Sequence, residues 1–172
     1  QLATYASRIA TGRAVVPHLT RKIGGVLRPE ALPASWPSLG LPDKELATVR
    51  QGMWAVVNEG GGTAPAARIP GNFGMLAGKT GSSQVRRVSR AARERGFKSE
   101  KLPWEFRPHA LFVAYAPYDN PRYALSVVVE HGNAGAQAAA PVARDIMVDV
   151  LTRDPSGRQE PPANRVADKG RV

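Results

Sequence analysis

Two short apolar segments, separated by five turn-forming residues, place the strongest constraint on how this chain can fold. Ala110–Ala116 reads ALFVAYA and Tyr123–Glu130 reads YALSVVVE, so both segments are rich in apolar, β-branched and aromatic side chains. The five residues between them read PYDNP, and proline, aspartate and asparagine all favour turns. We therefore predict two neighbouring strands that pair as an antiparallel hairpin.

Two helices are predicted upstream of this hairpin from the spacing of apolar residues. The first spans residues 1–12, with Leu2, Tyr5 and Ile9 on one face and Gly12 at its C-terminal end. The second begins at Asp43, which we expect to cap it, and stops at the glycine run 60–62. The apolar stripe of this second helix comprises Leu46, Val49, Met53, Val56 and Val57.

A third helix is predicted after the hairpin, from about Ala138 to Leu151, with Pro141 tolerated in its first turn. We expect its core face to comprise Val142, Ile146, Val150 and Leu151. A further strand is predicted over Phe73–Ala77. Residues 13–42, which contain five prolines, are predicted to connect elements, with a possible short strand over 14–16. Residues 84–108 are polar and basic, with a helical turn possible over 88–95. The whole pattern predicts an α+β fold, with helices packed on an antiparallel sheet.

The composition limits the classes of function. The chain has 172 residues, 42% of them hydrophobic, which is enough for one domain with a core. It has no cysteine, and its three histidines lack metal-ligand spacing, so we predict no metal site and no cofactor. No apolar run is long enough for a transmembrane helix. The net charge of +10, concentrated in residues 86–107 and after 153, raises the alternative of a basic nucleic-acid-binding module, although no nucleic-acid motif accompanies it.

The two ends of the sequence carry separate expectations. Residues 152–172 are rich in proline, glycine, arginine and aspartate and have little to bury, so we predict a disordered tail after a domain over residues 1–151. At the other end, Gln1 opens what looks like a helix already under way. We therefore expect this sequence to be part of a longer polypeptide.

The most informative short stretch is MLAGKTGSSQV, residues 75–85. In a regular strand Lys79 and Gly81 share one face and Thr80 lies on the other. Lys79 supplies a cation, the following residues supply hydroxyl groups, and the glycines leave room for an extended peptide to pair with the strand. The main-chain N–H of Ser82 is placed to face a developing oxyanion. This combination suits a peptide that ends in a carboxylate and whose carbonyl is under attack.

Five stretches in order resemble one family. Lys-Thr-Gly is a motif of penicillin-binding proteins and β-lactamases. The chain resembles the C-terminal part of the transpeptidase domain of class B penicillin-binding proteins, most similar to the elongation-type penicillin-binding protein 2. The resemblance covers about Gln1 to Leu151 and is carried by QLATYASRIATGR, VRQGMWAVVNEGGGTA, GKTGSSQV, HALFVAYAPYDNPRYALSVVVEHG and AGAQAAAPVARDIMVDVL.

The resemblance implies a partial penicillin-binding transpeptidase or β-lactamase-like fold and a role for each motif residue. Lys79 would belong to the active-site hydrogen-bond network, Thr80 and Gly81 would complete the substrate-binding motif, and the Ser82 hydroxyl would help bind the substrate carboxylate. The Ser82 N–H would form half of the oxyanion hole. The family implies a D,D-transpeptidase that cross-links peptidoglycan stem peptides ending in D-Ala-D-Ala and is acylated by β-lactams. It also implies a location at the periplasmic face of the inner membrane through an anchor absent here, and contacts with other wall-elongation proteins.

The chain departs from the family pattern in one important respect. None of its nine serines has a lysine three residues later, so S-x-x-K is missing, and S-x-N is missing too. We therefore expect this chain alone to be inactive, because it lacks the nucleophile and the base. A hydrolytic relative, either a D,D-carboxypeptidase or a β-lactamase, stays open as an alternative, since Lys-Thr-Gly alone does not separate it from a transpeptidase.

The isolated histidines and tryptophans have simpler interpretations. We predict that His131 shapes the end of its strand rather than acting in catalysis. The three tryptophans, Trp36, Trp54 and Trp104, are predicted to pack rather than to stack on bases. Contact with a partner stays open for Trp104, because it lies in the basic segment with Phe106.

Overall fold

The computed structural model describes residues 1–32, 35–71, 75–94, 96 and 98–155 and has the α+β arrangement predicted from the sequence. Its helices are α1 (Leu2–Thr11), α2 (Asp43–Asn58), α3 (Arg90–Glu94) and α4 (Ala140–Arg153). Its strands are β1 (Lys22–Ile23), β2 (Val26–Leu27), β3 (Ala77–Ser83), β4 (His109–Ala116) and β5 (Tyr123–Val129). In the part of the chain so described, no helix is both long and apolar enough to cross a membrane.

The predicted hairpin forms two of the three strands of an antiparallel sheet. Strands β4 and β5 pair in register from Ala110 opposite Val129 to Ala116 opposite Tyr123. Strand β3 pairs with the other edge of β4, which gives the order β3-β4-β5. The hairpin is therefore confirmed, and β4 is the central strand.

Both faces of the central strand are buried, and alternate residues of β4 build two cores. Phe112 and Ala114 contact α4 and the turn Pro65–Ala67, in a cluster that includes the fully buried Met147. Val113 and Tyr115 lie on the opposite face and pack with residues of α1 and α2. Burial of the Tyr115 hydroxyl, with Tyr118 beside it, raises the pKa of Tyr115 to about 12.

The helices pack with faces that differ from those predicted. In α4 the predicted core residues Val142 and Ile146 are 42% and 44% exposed, whereas Leu151 is buried as predicted. The buried face of α4 comprises Ala140, Ala143, Met147 and Leu151. In α1, Leu2 and Tyr5 are exposed, and the buried residues are Ala6 and Ala10. In both helices alanines form part of the buried face, whereas several larger apolar residues predicted to be buried are exposed.

The second helix starts where it was predicted, but the expected cap is wrong. Pro42 occupies the N-cap position without a side-chain hydrogen bond, and Asp43 is the first helical residue. There its carboxylate complements the positive end of the helix dipole. Of the predicted stripe, Leu46, Met53 and Val57 are buried, whereas Val49 is 46% exposed.

Other boundaries were predicted less accurately. A strand over 14–16 is wrong: this connector forms one bridge from Arg13 to Ser38, followed by the short hairpin of β1 and β2, which was not predicted. A π-helical turn, Gly135–Ala139, precedes α4, so α4 itself begins at Ala140, two residues after the predicted start. Gly12 ends α1 as predicted, with φ of 69° and its N–H donating to Arg8 O. The predicted disordered tail falls largely outside the described residues, from 156 onward.

Candidate active-site wall

The Lys-Thr-Gly motif lies inside an edge strand. The sequence predicted a strand over Phe73–Ala77 that leads into the motif, but β3 begins at Ala77 and contains the motif itself; residues 72–74 lie outside those described. The pairing with β4 is regular, with Lys79 opposite Val113 and Thr80 opposite Phe112, and it contains no bulge. Alternate residues therefore take opposite faces, with Thr80 and Ser82 on one face and Lys79 on the other.

The outer edge of β3 is open. Within the described residues β3 pairs only with β4, so the main-chain groups along its other edge have no strand beside them. An extended peptide could add to that edge as a further strand, with its main chain hydrogen-bonded along the motif.

Two glycines allow the elements around this strand to approach each other. A Cβ on Gly78 would lie 2.4 Å from the Phe112 ring, and a Cβ on Gly135 would lie 2.3 Å from Leu111 O and 2.7 Å from Gly81 O. The π-helical turn therefore rests directly on β3 and β4. Gly135 was not singled out from the sequence, although the break in pattern after β5 was the signal for it.

The lysine and threonine of the motif lie at the surface. Lys79 Nζ donates to Thr80 O at 3.1 Å and is 3.5 Å from Thr80 Oγ1. The hydroxyl of Thr63, from the loop after α2, is 3.4 Å from that of Thr80. Lys79 also borders an apolar groove of about 410 Å³ between α1 and α2, lined in part by Tyr5 and Val49. The motif therefore presents a cation and two neighbouring hydroxyls to solvent at the open edge.

The far end of β3 is framed by the turn after β5. The Ser82 hydroxyl donates to Asn133 O at 3.4 Å, and the main-chain N–H of Asn133 donates to Pro108 O at 2.9 Å. Asn133 has a φ of 67°, in the left-handed region. Asn133 thus joins β3 to the basic segment, a role that the sequence analysis missed because an asparagine in a loop carries no distinctive pattern.

A pair of histidines fastens the same turn to the start of β4. The main-chain N–H of His131 donates to His109 Nδ1 at 2.9 Å, and His131 Nδ1 lies 3.1 Å from Arg107 O. The His131 ring also packs against that of Trp104, with centroids 4.4 Å apart. These contacts support the predicted structural role of His131. They also show Trp104 packing on one side, while 60% of its surface stays exposed.

Glu100, in the turn Ser99–Lys101, has a lowered pKa. The pKa of Glu100 is lowered by a hydrogen bond from its own main chain and then by the Asn133 amide. Both causes favour the ionised form of the Glu100 carboxyl.

Comparisons with known proteins agree with this geometry. Residues 1–148 match the family model described as the penicillin binding protein transpeptidase domain. The chain is 36% identical over 141 residues to the peptidoglycan D,D-transpeptidase MrdA of Haemophilus influenzae, covering 81% of this chain and 21% of that protein. It is 32% identical to MrdA of Acinetobacter baumannii over 76% of this chain and 19% of the relative. The chain therefore spans about a fifth of the length of these relatives.

Solved structures show the same fold. PBP2 of Pseudomonas aeruginosa, in complex with WCK 5153, has a TM-score of 0.62 and 30% identity, covering 94% of this chain and 31% of that one. PBP2 of Helicobacter pylori, in complex with MreC, has a TM-score of 0.61 and 27% identity, covering 89% and 24%. These matches confirm the predicted family and fold, and they favour a transpeptidase over a nucleic-acid-binding module. This chain belongs to the penicillin-binding protein transpeptidase domain family.

Proposed function

We propose that this chain forms the substrate-binding wall of a peptidoglycan D,D-transpeptidase. The observation that carries the proposal is the position of the Lys79-Thr80-Gly81-Ser82 segment in β3, an edge strand with an open side. The family assignment supports it, because the named relatives are peptidoglycan D,D-transpeptidases.

The acyl-donor peptide pairs with the open edge of β3 in this proposal. Lys79 supplies positive charge, and the hydroxyls of Thr80 and Ser82 donate hydrogen bonds to the C-terminal carboxylate of the donor. Gly81 leaves the strand surface clear for the donor main chain. The Ser82 N–H stabilises the oxyanion that forms on the carbonyl under attack.

The chemistry is acyl transfer in two steps. A serine of the same parent polypeptide, outside this sequence, attacks the penultimate D-alanine carbonyl, and the terminal D-alanine leaves as the acyl-enzyme forms. An amine of a second stem peptide then attacks the ester, forming the cross-link and freeing the serine. β-Lactams acylate the same serine.

The proposal extends to location and partners. We place the parent protein at the periplasmic face of the bacterial inner membrane, where its substrate is assembled into the wall. The Helicobacter pylori relative has been solved in complex with MreC, which supports other wall-elongation proteins as partners of this one.

Peptide binding tests the role of the wall. We expect acetyl-Ala-D-Ala-D-Ala to shift the amide resonances of β3, and the same peptide with a C-terminal amide to bind about tenfold more weakly, because it has no carboxylate for the motif. Ser82→Ala is expected to reduce the difference between the two peptides. Ser89→Ala, an exposed serine outside β3, is the control. Equal affinity for the acid and the amide would contradict the proposal.

The absence of S-x-x-K from this sequence leads to a second test. After incubation with a β-lactam, the intact mass of this chain is expected to show no covalent adduct. A stoichiometric adduct on Ser82 or Ser83 would show instead that the chain carries a nucleophile of its own.

A further inference from the structure

The segment between β3 and β4, residues 84–108, carries half of the net positive charge of the chain. It contains eight arginines and lysines and three glutamates, which gives +5 of the total of +10. Arg86, Arg87 and Lys101 are exposed, and with the described residues none of the three makes a salt bridge. This basic segment therefore presents positive charge to a negatively charged partner.

The basic segment folds around a small cavity. The cavity has a volume of about 340 Å³ and is lined by residues from 84–88, from the turn Ser99–Lys101 and from the turn Trp104–Phe106. In the second half of the segment, Arg107 Nε donates to Leu102 O at 3.0 Å. Residues from the start and from the end of the segment are therefore held close together and contribute to one surface.

Two aromatic side chains are exposed on this surface. Trp104 is 60% and Phe106 is 42% exposed, and Val85, which lines the same cavity as Phe106, is 43% exposed. Each ring is supported on one side: Trp104 packs against His131 with centroids 4.4 Å apart, and the Arg86 guanidinium lies 5.7 Å from the Phe106 centroid. Three exposed apolar side chains within one basic segment indicate an interaction surface rather than isolated exposed residues.

The combination of cationic and aromatic side chains suits the surface of a bilayer that contains anionic lipids. Lipid headgroups supply the negative charge, and tryptophan and phenylalanine rings enter the boundary between headgroups and acyl chains. An arginine side chain can lie along such a ring while its guanidinium stays among the headgroups. A soluble acidic partner would neutralise the charges but would leave the apolar rings in water, so the aromatic residues favour a bilayer.

We propose that the basic segment is a docking surface for a membrane that contains anionic lipids. Trp104 and Phe106 enter the headgroup layer, and Arg86 and Arg87 bind lipid phosphates. Glu105, between the two rings in the sequence, keeps the insertion shallow, because a carboxylate resists transfer into the acyl chains. The proposal goes beyond the proposed function, which assigns no membrane contact to this chain.

Partitioning onto vesicles tests the proposal with the purified chain. The vesicles consist of phosphatidylcholine alone or of phosphatidylcholine and phosphatidylglycerol in equal parts, and bound protein is separated by flotation. We expect about tenfold tighter binding to the mixed vesicles. Added salt is expected to weaken that binding, because it screens the attraction between exposed charges.

Tryptophan fluorescence reports whether the aromatic residues enter the bilayer. We expect mixed vesicles to shift the emission to shorter wavelength, because the Trp104 ring leaves water. Trp104→Ser is expected to abolish this shift and to weaken binding. Trp36→Phe removes a tryptophan outside the basic segment, so it serves as the control and is expected to keep both the shift and the affinity.

Two matched lysine variants assign the charge effect to this surface. Lys101→Gln removes a charge within the basic segment and is expected to weaken binding to mixed vesicles about fivefold. Lys44→Gln makes the same change at an exposed position of α2 and is expected to leave binding unchanged. Arg87→Gln is expected to behave like Lys101→Gln.

Three outcomes would overturn the proposal. Equal binding to neutral and mixed vesicles would show that anionic lipids have no role. Equal losses in Lys101→Gln and Lys44→Gln would show that net charge, rather than this surface, determines binding. Binding to polyglutamate or duplex DNA as tight as to mixed vesicles, without the emission shift, would indicate a soluble acidic partner. The binding of acetyl-Ala-D-Ala-D-Ala to β3 is measured without lipid, so each of these results leaves the proposed function in place.

Discussion

Gly78 and Gly81, the two glycines of β3, differ in how much space surrounds them. Gly78 is required by packing, because a side chain there would overlap the Phe112 ring and approach Val113 O at 2.8 Å. A Cβ on Gly81 would meet only Leu111 Cβ, at an ordinary contact distance of 3.4 Å. Packing within the described residues therefore does not require glycine at position 81. Under the proposed function, the approach of a ligand main chain would be the reason for glycine at this position.

Substitution of these glycines should separate stability from binding. We expect Gly78→Ala to lower the free energy of unfolding by about 1–3 kcal/mol, because the buried ring and strand must shift. Gly81→Ala is expected to change it by less than about 0.5 kcal/mol, since little stands in the way of the methyl group. Urea denaturation of the two variants measures both. A larger loss in Gly81→Ala than in Gly78→Ala would contradict this account.

At the scale of elements, the closing helix is held to the sheet by small residues and one long one. The π-helical turn before it contacts β3 and β4 through Gly135, and α4 then buries Met147 against Phe112 and its neighbours. Arg122 and Tyr123, at the start of β5, bind the Asp154 carboxylate after the end of α4, each at 2.7 Å. Both ends of α4 are therefore tied to the sheet that carries the motif.

The buried face of α4 can be tested with two neighbouring residues. We expect Met147→Ala to lower the free energy of unfolding by about 2–5 kcal/mol, because the side chain is fully buried and leaves a cavity. Ile146→Ala is expected to cost under about 1 kcal/mol, since Ile146 is already 44% exposed. Thermal and urea unfolding give both values. A larger loss of stability in Ile146→Ala than in Met147→Ala would instead support the buried face predicted from the sequence.

On the scale of the whole molecule, the sheet has two open sides. Within the described residues, β3 and β5 each pair on one side only, and Val128 on β5 is 52% exposed. A second apolar surface lies on the helices, where Tyr5 is 57% and Val49 is 46% exposed. An unpaired strand edge that also exposes apolar side chains favours association with other chains.

Self-association of the purified protein should depend on the open edge of β5. We expect Val128→Lys to shift the sedimentation profile toward the monomer, because a charge on an edge strand opposes edge-to-edge pairing. Val49→Lys places the same charge on a helix and serves as the matched variant, with a smaller effect expected. If Val49→Lys acts more strongly, the helix surface rather than the strand edge drives association.

The local features of this fold were predictable from the sequence. The hairpin was predicted from the turn residues between its strands, and the end of the first helix from Gly12. The position of Lys-Thr-Gly before the hairpin follows from the order of the motifs. Each of these signals lies in residues that are neighbours in the sequence. The family resemblance came from the same source, because the five stretches occur in the family's order. The roles of Lys79, Thr80, Gly81 and Ser82 stay predictions that the binding experiments test.

Only the tertiary structure decided which surfaces meet. Periodicity marked Val142 and Ile146 as core, but α4 packs with the adjacent face, which comprises Ala140, Ala143, Met147 and Leu151. The hydrogen bond from the Ser82 hydroxyl to Asn133 O joins residues that lie 51 positions apart in the sequence. Local patterns in a sequence determine where helices, strands and turns form, whereas contacts between distant residues depend on how those elements pack in three dimensions.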